Sequence, residues 1–289
     1  MKPAPFDLHR PATVADAVGL LAAHGDDAKV LAGGQSLVPL LSLRLATPAH
    51  LVDVGDVAGL RDVTASDGSV RVGAMVSHGR AGRHAAVCDH APLLARAVPF
   101  VGHAAIRARG TVGGSIAHAD PAAEYPAVCM ALAAELELTG PGGTRRVAAR
   151  DFFVSTYTTA LRSDELLVAV HLPAAGPRHG AAVVEVARRH GDFALAGAAC
   201  AVDLDADGRV VRAGLALFGV ADRPWPADAA TAALAGAGPE IDVDEVARLA
   251  VRDLRPTDTL HASGRYLRHV ACVMAGRSLG RALEEARRG

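Results

Sequence analysis

Two segments dominate this sequence, Leu31-Ala-Gly-Gly-Gln-Ser-Leu37 and Gly110-Thr-Val-Gly-Gly-Ser-Ile116. Each sets a glycine pair between hydrophobic residues, and each pair is followed by a hydroxyl side chain, Ser36 or Ser115. Lacking Cβ atoms, Gly33, Gly34, Gly113 and Gly114 let a ligand approach the backbone closely. Successive N–H groups in such turns form a concave nest that takes phosphate oxygens. Two nests in one chain point to one ligand with two phosphates, a dinucleotide. Two tight turns without a ligand are the plainer alternative.

Around the first pair the pattern is β-α-β. Thr13 reads as an N-cap, Val14, Ala17, Val18 and Leu21 fall at helical spacing, and Gly25 stops the helix. Ala28 to Ala32 is a short strand entering the glycine pair, Leu37 to Leu45 returns to helical character, and Leu51 to Val54 is a further strand. Around the second pair the pattern is mixed. A strand is expected over Val70 to Met75, and helices over Leu93 to Val101 and Ala122 to Ala133. Glu135 to Thr139 and Arg145 to Ala149 form a hairpin about Gly140-Pro-Gly-Gly143, and Leu166 to Leu172 is a strand. Beyond a linker at Ala174-Ala-Gly-Pro177, strands are expected over Ala181 to Ala187, Ala196 to Leu204 and Val210 to Leu217. Ala221 to Pro239 reads as an irregular connection, with helices over Asp244 to Leu254 and Ser263 to Arg287.

The 289 residues can bury substantial cores, and 51% hydrophobic with 21% charged residues is a globular balance. A net charge of −1 supplies no drive towards nucleic acid or anionic membrane, and 3% aromatics gives little for base stacking. The N-terminus lacks an apolar h-region, and Cys88, Cys129, Cys200 and Cys272 stand far apart, as expected of buried thiols in a soluble cytoplasmic protein. The 13 histidines include no H-E-x-x-H or other ligand spacing, so no metal site is expected.

Motif chemistry narrows the field further. No G-x-G-x-x-G follows a strand and no P-loop is present. Gly113-Gly-Ser-Ile-Ala117 approaches a serine nucleophile elbow, but Ala117 replaces its last glycine, and nothing singles out a partner among His171, His179 and His190. His118-Ala-Asp120 reads as a turn-shaping cluster. Arg107 and Arg109 could face a pyrophosphate or a partner subunit. Phe193 is either an aromatic beside a flat ligand or an ordinary core residue.

Phe6-Asp-Leu-His-Arg-Pro11, Ala32 to Leu37, Leu43-Arg-Leu45, Ile106 to Ser115, His118 to Glu124 and Arg188-Arg-His-Gly-Asp-Phe193 occur in collinear order. This set resembles the FAD-binding medium subunit of molybdenum hydroxylases, the xanthine dehydrogenase and aerobic carbon monoxide dehydrogenase family. The resemblance implies an α+β, vanillyl-alcohol-oxidase-like (PCMH-type) FAD fold over 1–175, divided into a β-α-β subdomain 1–57 and a mixed subdomain 58–175. A C-terminal domain of a small antiparallel sheet and helices would follow over 176–289.

For the site, the resemblance implies that Ala32, Gly33, Gly34, Gln35 and Ser36, with Thr111, Val112, Gly113, Gly114 and Ser115, hold the FAD pyrophosphate, and that Leu37 also belongs to the FAD site. Glu124 falls on the family acid, Leu166 on the apolar residue beside the flavin ring, and Phe193 on the aromatic near the isoalloxazine. Ser115 stands where many relatives have Asn, and Glu185 where some have Lys. No catalytic acid or base is implied in this chain. The molybdenum cofactor and [2Fe-2S] clusters would lie on a large molybdopterin subunit and a small iron–sulfur subunit, in a dimer of heterotrimers, with NAD or a quinone as acceptor. A self-sufficient FAD-dependent reductase and a cofactor-free assembly subunit are the alternatives.

Overall fold

The computed structural model describes residues 2–66 and 68–289. Thr13 accepts a hydrogen bond from the Asp16 N–H and opens α1 (Val14–His24), which ends at Gly25 with φ 52°. The helix buries Ala17, Val18 and Leu21. They pack with Val52, Val54 and Ala28 over a parallel sheet in the order β1-β3-β2, formed by β1 (Asp7–His9), β2 (Ala28–Leu31) and β3 (His50–Asp53). Between β2 and β3 runs α2 (Leu37–Ser42), shorter than its apolar pattern suggests because Arg44, at φ 57°, turns the chain out of the helix.

The second sheet starts with β4 (Val63–Ser66) and β5 (Ser69–Gly73). A run of short helices follows: α3 (His78–Ala81), α4 (Ala85–His90), α5 (Pro92–Ala97), α6 (Ala104–Arg109), α7 (Val112–His118) and α8 (Glu124–Ala131). Then come the expected hairpin of β6 (Glu135–Gly140) and β7 (Gly143–Ala148), α9 (Ala149–Phe152), and a ribbon of β8 (Phe153–Ser155) and β9 (Thr158–Thr159). Last in sequence, β10 (Leu166–Pro173) inserts into the middle, giving the antiparallel order β4-β5-β10-β6-β7. With strands on both sides and both faces covered, β10 is buried from Leu166 to Leu172. Leu166 and Val168 pack with the α1 core, whereas Leu167, Val170 and Leu172 pack under α5, α7 and α8.

The third sheet is antiparallel, in the order β11 (His179–Ala187), β12 (Ala194–Leu204), β13 (Val210–Phe218) and β14 (Trp225–Pro226). Ala199 and Ala201 of β12 face the core shared with α8, and Ala198, Cys200 and Val202 face the other side. Both faces are covered, so the strand reads as a nearly unbroken apolar run. That other side is closed by α10 (Asp228–Leu234), α11 (Val243–Ala250) and α12 (Gly264–Arg288). The Ala221–Pro239 segment, expected to be irregular, therefore contains β14 and α10. The helical layer presses close: a Cβ on Gly180 would fall 1.8 Å from the Ala282 carbonyl oxygen of α12. Near the end of α12, Glu285 is paired with Arg96 of α5 and accepts from the Ala181 N–H of β11, tying the third sheet to the helices above the second. Among the described residues no helix is long and apolar enough to cross a membrane.

Candidate functional site

β2 delivers the chain into Ala32-Gly-Gly-Gln-Ser36. Gly34 sits at φ 72°, the left-handed region where a side chain costs about 1–2 kcal/mol. Gly33 is needed for a different reason. A Cβ there would stand 2.3 Å from the Arg109 carbonyl oxygen and 2.7 Å from Gly110 Cα, so the two glycine segments, far apart in sequence, lie against each other. The Gln35 side-chain amide donates to the Gly33 carbonyl at 3.0 Å and holds the loop's curvature. The backbone N–H groups of Gly33, Gly34, Gln35, Ser36 and Leu37 find no hydrogen-bond partner among the described residues. Free donors on a concave loop are the nest that the sequence suggested.

A cleft of about 720 Å³ opens there, lined by Ala32, Gly33, Gly34 and Gln35 on one wall and Ser77, Ala108, Arg109 and Thr111 on the other. Its volume is in the range of cofactor sites. Asp53, Gly55, Arg61 and Met75 complete the floor and rim. Sequence reasoning passed over these four. The one signal for them was the glycine that follows the end of β3, where Asp53 Oδ1 accepts the Gly55 N–H at 3.0 Å.

The second glycine pair behaves differently from the open turn read from sequence. Thr111 is an N-cap whose hydroxyl accepts the Gly114 N–H at 3.0 Å, and residues 112–118 are the helix α7. The Val112 N–H donates to Val76 O, Gly113 to Ala74 O and Ser115 to Thr111 O. Its four N–H groups are thus committed inside the chain, and this segment is no nest. Gly113 is small because a Cβ would fall 2.4 Å from that of Ala74. What this segment offers the cleft is Thr111 at its edge, with Gly114 packed beside Ala32. Arg107 is corrected too: its guanidinium donates to the Val101 and Gly102 carbonyls and braces the turn before α6. Arg109 does line the cleft.

Glu124, at the start of α8, is buried, and burial, with Asp120 adding to it against the carboxylate's own backbone N–H, pushes its carboxyl up to about 7. Burial and the neighbouring Glu124 push Glu185 of β11 up to about 8. Glu185 Oε2, the Tyr125 hydroxyl and His78 Nδ1 are all buried without a partner among the described residues, and burial, with Arg107, holds His78 down at about 4. The His78 and Tyr125 rings meet edge to face at 5.1 Å. Burial thus keeps Glu185 mostly protonated at neutral pH and brings Glu124 close to its midpoint there.

Leu166 is buried in the core it shares with Met75, a residue of the cleft floor. Phe193 is 67% exposed, which rules out the ordinary core reading. Its loop between β11 and β12 rests on His103, the N-cap of α6: Gly191, at φ 80°, leaves no room for a Cβ, which would touch that ring at 2.5 Å. His118 and Asp120 shape a turn as expected, His118 stacking on Tyr157 and Asp120 accepting the Ala122 N–H at 2.9 Å. His171 is paired with Glu137 and His179 with Asp203, His190 is exposed, and no hydrogen bond joins any of the three to Ser115 among the described residues.

Residues 4–175 match the family model for the FAD binding domain in molybdopterin dehydrogenase, and residues 181–282 match that for the CO dehydrogenase flavoprotein C-terminal domain. The chain belongs to the FAD-binding medium subunits of the molybdenum hydroxylases, and is an oxidoreductase flavoprotein subunit. It is 38% identical over 288 residues to the 6-hydroxypseudooxynicotine dehydrogenase complex subunit alpha of Paenarthrobacter nicotinovorans, covering 99% of this chain and 97% of that one. To the carbon monoxide dehydrogenase medium chain of Afipia carboxidovorans it is 36% identical, covering 99% and 100%. The solved carbon monoxide dehydrogenase from Hydrogenophaga pseudoflava that lacks the Mo-pyranopterin moiety matches with a TM-score of 0.95 at 36% identity, over 99% of both chains. The fold is thus the expected α+β PCMH-type FAD domain followed by a C-terminal sheet-and-helix domain.

Proposed function

We infer that this chain is the electron-transferring subunit of a molybdenum hydroxylase complex. It takes electrons from [2Fe-2S] clusters of a small partner subunit, loaded by a large molybdopterin subunit in a dimer of heterotrimers, and passes them to NAD or a quinone. Bound FAD supplies the redox chemistry, accepting electrons singly and releasing them in pairs, while the protein positions and tunes it. We divide the chain accordingly into an FAD-binding domain, 1–175 (subdomains 1–57 and 58–175), and a C-terminal domain, 176–289.

The observation that carries the reading is the row of five N–H groups from Gly33 to Leu37 without a partner among the described residues, on a loop whose Gly33, Gly34 and Gln35 border a cleft with Ser77, Arg109 and Thr111 on its other wall. Gly33 to Leu37 hold the pyrophosphate, with Ala32 setting the loop's entry. Thr111 fixes the opposite wall, and Val112, Gly113, Gly114 and Ser115 act by holding that wall in place. Leu166 and Phe193 border the flavin ring from the cleft floor and the β11–β12 loop. Glu124, with its carboxyl raised to about 7, can donate a hydrogen bond there below that pH and accept one above it. No residue of this chain is needed as a catalytic acid or base.

The test is a fluorescence titration of the flavin-free protein with FAD and with FMN. A site that grips two phosphates takes one FAD per chain and binds FMN far more weakly; equal affinities refute it. Purification from the native host, followed by identification of accompanying polypeptides, iron and molybdenum, tests the assembly.

A further inference from the structure

Three histidines that no sequence spacing connects converge beside the parallel sheet. His9 ends β1, His50 begins β3, and His24 is the last residue of α1. Parallel register pairs His50 with Asp7 and His9 with Val52, so the two strand histidines are diagonal neighbours on one face. That is the face of Val52 and Val54, which α1 covers. His24 therefore comes down directly over His50, with ring centroids 3.7 Å apart, while His9 lies 5.3 Å from each.

The ring nitrogens, one from each histidine, lie within 4.8 Å of one another. His9 Nε2 and His50 Nδ1 are 3.2 Å apart. Four-coordinate zinc with Zn–N bonds of about 2.0–2.1 Å requires nitrogens about 3.4 Å apart, the edge of a tetrahedron of that size. One edge of such a tetrahedron is already formed, and the third nitrogen lies within reach of side-chain rotation. All three side chains are half-buried, close enough to solvent for an ion to enter. Asp7 Oδ2, 3.8 Å from His50 Nδ1, lies outside this group, so the fourth position is open to solvent. Three imidazoles suit a borderline divalent ion, Zn²⁺ above all.

The geometry points to a binding site for Zn²⁺ or a similar first-row divalent ion formed by His9, His24 and His50, with water in the fourth position. It lies at the opposite end of β3 from Asp53, which borders the cleft, about 10 Å away at ~3.3 Å per residue. The ion takes no part in flavin chemistry. It pins the end of α1 to two strands of the subdomain that carries the first glycine loop.

The experiment uses tag-free, flavin-loaded protein, stripped with a chelator and titrated with Zn²⁺ by calorimetry. Co²⁺ serves as the optical probe through the intense visible bands of its tetrahedral complexes. One saturable equivalent and a tetrahedral Co²⁺ spectrum are expected. His50→Ala should weaken binding by more than the roughly 10–100-fold that loss of an outer-sphere partner costs, and His261→Ala, at an exposed position, should leave it intact. Should His50→Ala fail to fold, His24→Gln at the helix end is read instead, with retained flavin absorbance as the fold control. Absence of saturable binding in the parent protein, or an unchanged site in whichever of these two variants folds, overturns the proposal and leaves three rings that only pack against one another.

Discussion

Gly33→Ala is the sharpest perturbation of the flavin site. A methyl group there lands 2.3 Å from the Arg109 carbonyl oxygen, and ordinary contact needs 3.4 Å or more, so the two segments must separate by about 1 Å. Neither side yields easily, because the contact is backbone on backbone and Gly110 is itself packed against His78. A separation of that size breaks a hydrogen bond from the Gly33–Leu37 loop to a phosphate oxygen. Hydrogen bonds to charged groups contribute about 1.5–3 kcal/mol. Losing one weakens FAD binding roughly 10- to 150-fold. Overpacking also destabilises the fold by about 1–3 kcal/mol. The assay is fluorescence titration of flavin-free protein with FAD, with thermal unfolding followed in parallel. Gly142→Ala is the control, at a hairpin position where nothing lies within 4 Å of the added methyl. If Gly33→Ala binds FAD within twofold of the parent, the contact between the glycine segments does not position the nest, and the reasoning fails.

Phe193→Ala should leave thermal stability within about 0.5 kcal/mol, since the ring is 67% exposed, yet shift the flavin absorption spectrum and speed reoxidation by dioxygen. Unfolding with an unchanged spectrum would show that the ring supports the fold instead. Glu124→Gln should stabilise the protein in a pH-dependent way. The folded-state value near 7 lies above the unbound 4.5, so the stability contributed by the protonated form is complete below about pH 4.5 and lost as pH rises through 7. The variant's advantage should therefore be negligible at pH 4.5 and grow to about 3 kcal/mol by pH 8. A flat difference across that range in thermal or urea unfolding would refute the buried-acid assignment.

Wherever local chemistry decides, the sequence was legible. Thr13 and Gly25 bound α1, and Gly140-Pro-Gly-Gly143 makes its hairpin. At the first glycine pair the turn was legible, because a strand feeds it and its conformation is set within a few residues. The second pair misled because its state is set from outside. Thr111 could be either a turn hydroxyl or a helix cap, and the Ala74 and Val76 carbonyls that claim the Gly113 and Val112 N–H groups are invisible in the local pattern. Short elements such as β1, β4 and α6 carry too few residues to show a period. The histidine cluster was hidden by register: residues 9, 24 and 50 meet only once β1 lies alongside β3 and α1 folds across them.

The place of β10 in its sheet governs the order in which the domain can assemble. β4 and β5 form one hairpin and β6 and β7 another, each from neighbours in sequence, so both can close early. Until β10 is made and docked, β5 and β6 each present a bare edge, the kind of template that recruits other chains. The last strand then satisfies both edges at once and carries Leu166 and Val168 into the core under α1. Non-local closure of this kind is slow, which makes the half-built sheet the vulnerable species. A polar substitution at Val168 or Val170 would harm yield of folded chain more than its cost to the finished structure suggests, and chaperone supply during expression should matter most for such variants.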